Sequence, residues 1–328
     1  MKKFLFILIS VLISLSIIYL AACAQNINSG SASNSGAASS STSAEDNANY
    51  VDVFMFMGQS NMAGRGRSSA AAGDYVGVTC PEGHGYEFRA VTDPTKLYPI
   101  EEPFGVNENN TRINDGTKKT GSLVSSFCEA YYEKSGVPII AVSASQGGTN
   151  ITEWQSMIDE AIDRLENCLN YIYSQDTFTL RHIEMVWLQG ESNAYPNKGE
   201  FSEYAAGLKN IVNKIIEHGV EHCFIIQIGN YMSSVNEENY QSYKVFQQKQ
   251  VEFCDENEDY TLVSIKLADM PDGPDDGFMH ISNHYTQKAY DIVGTDAGRN
   301  AAYYMNTGLK PTCKAYNAAT DFYPFTEM

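Results

Sequence analysis

The sequence predicts a three-layer α/β/α sandwich, a central parallel sheet covered on both faces by helices. Three observations carry that reading: five short apolar runs of strand length, segments of helical period between them, and connections that fit right-handed crossovers.

The first run, Tyr50 to Met57, is rich in aromatic and apolar residues and stops at a glycine, as a buried strand does. Four similar runs follow at Val137–Val142, Ile183–Leu188, Cys223–Ile228 and Tyr260–Ile265. Between the second and third, Trp154, Ile158, Ala161, Leu165, Leu169 and Ile172 recur at intervals of three and four, which lines one face of a helix. Tyr204, Leu208, Ile211 and Ile215 repeat the pattern, and Tyr290, Val293, Ala297 and Ala301 do so in a last helix from Thr286 to Tyr304. Trp154 and Trp187 begin or lie within such runs, so they read as core residues and not as sugar platforms. Residues 68–121 break the rhythm with glycine, proline and asparagine, which fits a long excursion over the carboxyl edge of the sheet, where loops build substrate walls. The tail, 308–328, shows no period.

The chain opens on two lysines and a long apolar run that ends Leu20-Ala21-Ala22-Cys23. Residues 1–23 therefore read as an export signal with a bacterial-type lipobox, Cys23 carrying the lipid; an uncleaved membrane anchor is the alternative. Residues 24–48 are small and polar and read as a flexible tether, which leaves 49–307 as the folded domain. Either reading of the N-terminus places the domain outside the cytoplasm, lipid-anchored at the cell surface or facing the periplasm. Lysine and arginine number 22 against 40 acidic residues, a net charge of −18 that repels phosphate backbones and anionic bilayers. Nucleic acid is excluded as a partner, and membrane contact is expected only through Cys23. Six further cysteines could form disulfides in an exported protein, although Cys128 and Cys168 fall on apolar helix faces and read as buried thiols. There is no CxxC and no closely spaced Cys/His cluster, so neither a metal nor another cofactor is expected.

In an open parallel sheet, ligands bind beyond the carboxyl ends of the strands. There the sequence places Gly58-Gln59-Ser60-Asn61, Ser145-Gln146-Gly147-Gly148, Gln189-Gly190-Glu191 and the loop from Asp269 to His284. Hydroxyl, glycine amides, side-chain amides, carboxylates and imidazoles on one edge are the parts of acyl transfer. Ser60 sits where a strand turns into a helix, and only His280 and His284 among the six histidines follow the last strand. Taken singly, each feature has a plainer reading: a turn serine, a hinge at Gly147-Gly148, a capping Glu191. The GxSxG elbow is absent, since the second glycine is replaced by Met62.

Four blocks in order, GQSNMAG (58–64), SQGGTNITEW (145–154), WLQGESN (187–193) and HYTQKAYDIVG (284–294), resemble those of SGNH-type hydrolases, and more narrowly carbohydrate esterase family six and the sialate O-acetylesterases. The resemblance spans nearly the whole domain. It implies a flavodoxin-like sandwich, no metal, and deacetylation of an acetylated oligo- or polysaccharide such as acetylxylan or O-acetylated sialic acid. By position it makes Ser60 the nucleophile and His284 the general base, with His280 fitting the pattern less well. Gly148 and the Ser60 amide match oxyanion donors, Gln189 stands where the wider superfamily has asparagine, and Gln59, Asn61 and Glu191 complete the oxyanion and substrate-binding set. Relatives often carry an aspartate three residues before the base, but that position is Ile281. Asp276 ranks first as the acid partner, ahead of Glu191 or a backbone carbonyl. A serine esterase for other esters, and a non-catalytic glycan-binding protein, are the alternative functions.

Overall fold

The computed structural model describes residues 49–67, 77–273 and 275–321. The expected signal, Cys23 and the whole of the tether lie outside them, as do residues 68–76 of the excursion and the end of the tail. No described helix is long and apolar enough to cross a membrane.

The strands are β1 (Tyr50–Gly58), β2 (Gly85–Phe88), β3 (Leu97–Pro99), β4 (Ile139–Ser145), β5 (Thr179–Leu188), β6 (His222–Ile226) and β7 (Tyr260–Ser264). They form one sheet in the order β3-β2-β4-β1-β5-β6-β7, parallel throughout except for β2 against β3. The five expected strands are the contiguous set from β4 to β7. Because β1 lies between its two successors in that set, the chain winds away to one side and returns on the other, which opens a crevice above the carboxyl end of β1. The excursion supplies β2 and β3, which are too short to show alternation in the sequence.

The helices are α1 (Ser60–Ala63), α2 (Val124–Ser135), α3 (Ile151–Gln155), α4 (Ile158–Tyr173), α5 (Glu191–Ala194), α6 (Phe201–Ile216), α7 (Glu237–Glu256), α8 (Lys266–Asp269) and α9 (Gln287–Thr307). Residues of β1 alternate between two buried faces. Phe54 and Phe56 meet Phe127 of α2, with Tyr131 edge-on to Phe54. Each such ring, fully buried, contributes about 1.5–3 kcal/mol. On the other face, Trp187 of β5 crosses Trp154 edge-to-face, and both are wholly buried, as core residues should be.

The expected helix from Trp154 to Ile172 is two helices. Asn150 caps α3 in a reciprocal box with Glu153, and the next turn tightens as Ser156 and Met157 donate to carbonyls three residues back. An apolar stripe reports a face, not a break within it. Helix α7 escaped sequence reading because its buried face is partly amide: Gln247 and Gln250 are almost fully buried and hydrogen-bond to Gly229, Ile228 and Gln189. The tail folds back, with Lys310 donating to the Cys254 and Asn257 carbonyls. All six described cysteines are free thiols, and Cys128 and Cys168 are buried as their helix faces require.

Candidate active site

The sheet register builds the site. Gly58 lies level with Ser145 of β4 and with Leu188 of β5, so the three strands end together and the residues after them converge. Gly58 adopts φ +146°, and a Cβ there would stand 2.0 Å from the Leu188 carbonyl oxygen. Only glycine lets β1 turn into α1 while the Gln59 amide donates to that oxygen at 3.0 Å.

Ser60 opens α1 and is 5 % exposed. Its Oγ lies 2.8 Å from His284 Nε2, although 224 positions separate them. The imidazole rides on a hairpin, β8 (Met279–Ile281) paired antiparallel with β9 (His284–Tyr285). Tyr285 anchors it: the buried hydroxyl donates to the Leu267 carbonyl at 2.8 Å and accepts the Asn230 amide at 2.5 Å. His280 points elsewhere, its Nε2 2.7 Å from the Arg65 carbonyl oxygen. Burial, the Arg65 guanidinium and His280, in that order, push the His284 pKa down to about 4, with Asp115 opposing them. The ring is therefore neutral at pH 7, and Nε2 is free to accept the hydroxyl proton.

Neither the Ser60 nor the Gly148 amide has an acceptor among the described residues. Gly148 is exposed in a left-handed conformation, φ +78°, at the tip of the loop after β4. Asp115, from the excursion, braces this loop by accepting the Gly147 amide at 2.7 Å while pairing with Arg65 at 2.6 Å. Beside Gly148 opens a cleft of about 360 Å³ whose lining includes Asn150, Ser192, Asn193, Tyr195 and Lys198.

A hydroxyl bonded to a neutral imidazole, two free amides and an adjoining cleft suit attack on an ester carbonyl. Comparison with known proteins agrees. The profile of the family "Carbohydrate esterase, sialic acid-specific acetylesterase" matches residues 50–295, well over half of the chain. The chain belongs to that family. It is a carboxylic-ester hydrolase. No curated protein sequence matches it. Among solved structures, the esterase is similar in fold to a protein from Arabidopsis thaliana (15 % identity, TM-score 0.53, covering 78 % of this chain and 98 % of that one). It is also similar to NanS (12 % identity, TM-score 0.51, 80 % and 99 % covered).

Asp276 does not meet the esterase's histidine. Its Oδ2 accepts the Gly273 amide at 3.0 Å, closing a local turn, and His284 Nδ1 has no hydrogen-bond partner among the described residues. Glu191 does not reach that nitrogen either. It is wholly buried, accepts Asn61 Nδ2 at 2.5 Å, and burial raises its pKa to about 7. Asn61, equally buried, also donates to the Asn283 carbonyl at 3.1 Å and accepts from the Tyr290 hydroxyl at 2.7 Å. Glu191 thus holds the Ser60 segment against the residue that precedes His284.

Gln189 is also corrected as an oxyanion donor. It is fully buried, and its Nε2 lies 3.0–3.2 Å from Gln59 Oε1, the Thr149 carbonyl and Asn193 Oδ1, leaving no hydrogen for an incoming ligand. Gln59, 2 % exposed, spends its oxygen on Gln189 and the Ser192 amide. Together with Asn61 and Glu191 these residues lie beneath the site and tie its loops, out of reach of a substrate. Sequence reasoning missed Arg65, Asp115, Asn283 and Tyr290. Tyr290 was legible as one position of an apolar stripe and of the block after His284, but not as a partner of Asn61, and the Arg65–Asp115 pair spans 50 positions with no periodic signal.

Proposed function

We propose that the esterase removes acetyl groups from carbohydrate hydroxyls, with Ser60 as nucleophile and His284 as base. The single observation that carries the reading is the 2.8 Å contact between Ser60 Oγ and His284 Nε2. As Oγ attacks the acetyl carbonyl, Nε2 takes its proton, and the Ser60 and Gly148 amides donate to the developing oxyanion. The imidazolium then returns the proton to the departing sugar oxygen, and water repeats the sequence on the acetyl-enzyme to release acetate. The cleft beside Gly148, bordered by hydroxyl, amide and aromatic groups, suits a sugar ring, with acetylated xylan or O-acetylated sialic acid as the substrate class. Anchoring through Cys23 would hold this activity outside the cytoplasm, where such glycans are met.

The test is acetate release by the full-length chain from a panel of acetylated polysaccharides and sialosides. Ser60→Ala should lower kcat by about 10⁴ or more with an unchanged fold. Equal turnover by the mutant refutes the reading. Activity that persists on long acyl chains at the acetate rate would move the substrate away from acetylated sugars.

A further inference from the structure

We propose that His182, Glu184 and Glu221 form a divalent-cation site at the amino-terminal edge of the sheet, on the side of the molecule opposite Ser60. His182 and Glu184 are two residues apart on β5 and so share one face of the strand. Glu184 is level with His222, the neighbour of Glu221, across the β5–β6 pair. One ligand atom from each of the three lies within 4.8 Å of the other two. His182 Nδ1 and Glu221 Oε2 already stand 2.8 Å apart.

The observation that asks for a ligand is Glu184. Its side chain is buried to 1 % exposure and its Oε2 has no hydrogen-bond partner among the described residues. A carboxyl held that way is costly unless something satisfies the oxygen. Glu221 and Asp52 add like charge to its surroundings. The nearby guanidinium of Arg181 is committed to Asp52, with Nε on Oδ1 at 2.9 Å. A cation would satisfy Oε2 and balance the local negative charge together.

One imidazole nitrogen and two carboxylate oxygens form a donor set for Zn²⁺ or a neighbouring first-row ion, with water completing the shell; Mg²⁺ prefers oxygen alone. A tetrahedral ion about 2.1 Å from each donor needs them about 3.4 Å apart. His182 and Glu221 have side chains 33 % and 51 % exposed and can close by rotation onto the fixed Glu184. Nothing in the cysteine and histidine spacing announces the site, because two ligands come from one strand and the third from the turn before its neighbour. Bridging β5 to β6, the ion would clamp the sheet without touching the chemistry, since the strand residues from Glu184 to Leu188, roughly 13 Å, separate it from the carboxyl edge.

The experiment titrates the untagged full-length chain, stripped with a chelator, with Zn²⁺, and reads binding by calorimetry and stability by thermal melting. The expected result is one Zn²⁺ bound per chain and a Tm rise of about 5 °C or more at a hundredfold excess over Kd, with no rise in Mg²⁺. Glu184→Gln, which keeps the shape of a protonated carboxyl, and His182→Ala, which changes an exposed ring, should each abolish the rise. His218→Ala should keep it, because His218 pairs with exposed Glu166 and belongs to no group of three ligands among the described residues. Should Glu184→Gln fail to fold, His182→Ala decides. No rise in the unaltered chain, a rise that survives in His182→Ala, or one lost in His218→Ala overturns the proposal.

Discussion

The acid limb of kcat/KM should fall near pH 4, well below where an ordinary histidine would put it. His284 must be neutral to take the Ser60 proton, and burial, helped by Arg65 and His280, brings its pKa from 6.5 down to about 4. At about pH 5.5, a base with that pKa is more than nine-tenths neutral, whereas an unperturbed one is neutral in roughly one molecule of eleven. The enzyme should therefore hold close to its plateau there, where an unshifted base would have lost about tenfold. Arg65→Met removes the second largest cause and should move the limb upward, but not as far as 6.5, because burial remains. The assay is initial-rate acetate release at low substrate from about pH 3.5 to 8 at constant ionic strength, since kcat/KM reports the free enzyme. A limb near 6.5, or one that moves down in Arg65→Met, refutes the argument. Stability has to be followed in parallel. Between about 6.5 and 4 the unfolded chain binds a proton that folded His284 does not, so its contribution is full above 6.5 and is lost as pH falls through the folded pKa. His222, lowered to about 4 chiefly by burial, acts with the same sign. Melting curves at each pH separate unfolding from loss of the base.

Asp276→Asn should leave kcat within about threefold, because its carboxylate serves the Gly273 amide; a triad acid would cost about 10⁴, and a loss beyond a hundredfold would place Asp276 at the histidine after all. Glu191→Gln weakens a charge-assisted bond to Asn61 by about 1.4 kcal/mol, which predicts roughly a tenfold fall in kcat with little change in KM, measured above pH 7 where the native carboxyl is ionised. The same substitution should flatten the stability profile, since the raised pKa of Glu191 stabilises the fold below the unfolded value of 4.5 and loses that contribution as pH rises through about 7. Gly58→Ala puts a methyl 2.0 Å from the Leu188 oxygen and should cost about 3 kcal/mol or more, read as a lower urea midpoint; an unchanged midpoint would show that the β1 turn is not locked there.

What could be read from the sequence follows from what periodicity encodes. The five long strands are fully buried apolar runs, and their glycine and amide endings mark the edge where ligands bind, so Ser60, Gly148 and His284 were legible as a group. Helix α7 was not, because it buries glutamines, and β2 and β3 were not, because three or four residues hold too little alternation. Motif matching gave Glu191 the orienting of site groups and gave Gln59, Asn61 and Gln189 contact with the substrate. Burial decides otherwise, and burial of a polar side chain leaves no mark in a one-dimensional pattern. The same holds for Asp115, whose side chain is wholly buried in a segment that otherwise looks like surface loop.

That His284 Nδ1 has no hydrogen-bond partner among the described residues changes how the ring must be held. In a triad, an acid on that nitrogen fixes the tautomer and turns the ring toward the nucleophile. Here the backbone does the turning. The ring is fixed from below by the Tyr285 hydroxyl on Leu267, from before by Asn61 on the Asn283 carbonyl, and from after by the Thr286 amide on the Phe278 carbonyl at 2.8 Å. Asn61 follows Ser60 directly, so one buried side chain sets Ser60 and His284 relative to each other. Asp115 raises the proton affinity of the ring by its charge, and it also grips the loop that carries Gly148. The duties usually concentrated in one triad acid are therefore divided: orientation to Asn61 and the hairpin, electrostatic support to a carboxylate committed to Arg65 and the Gly147 amide. Such a division explains how the site can place a serine and a histidine in contact although the position three residues before the base is an isoleucine.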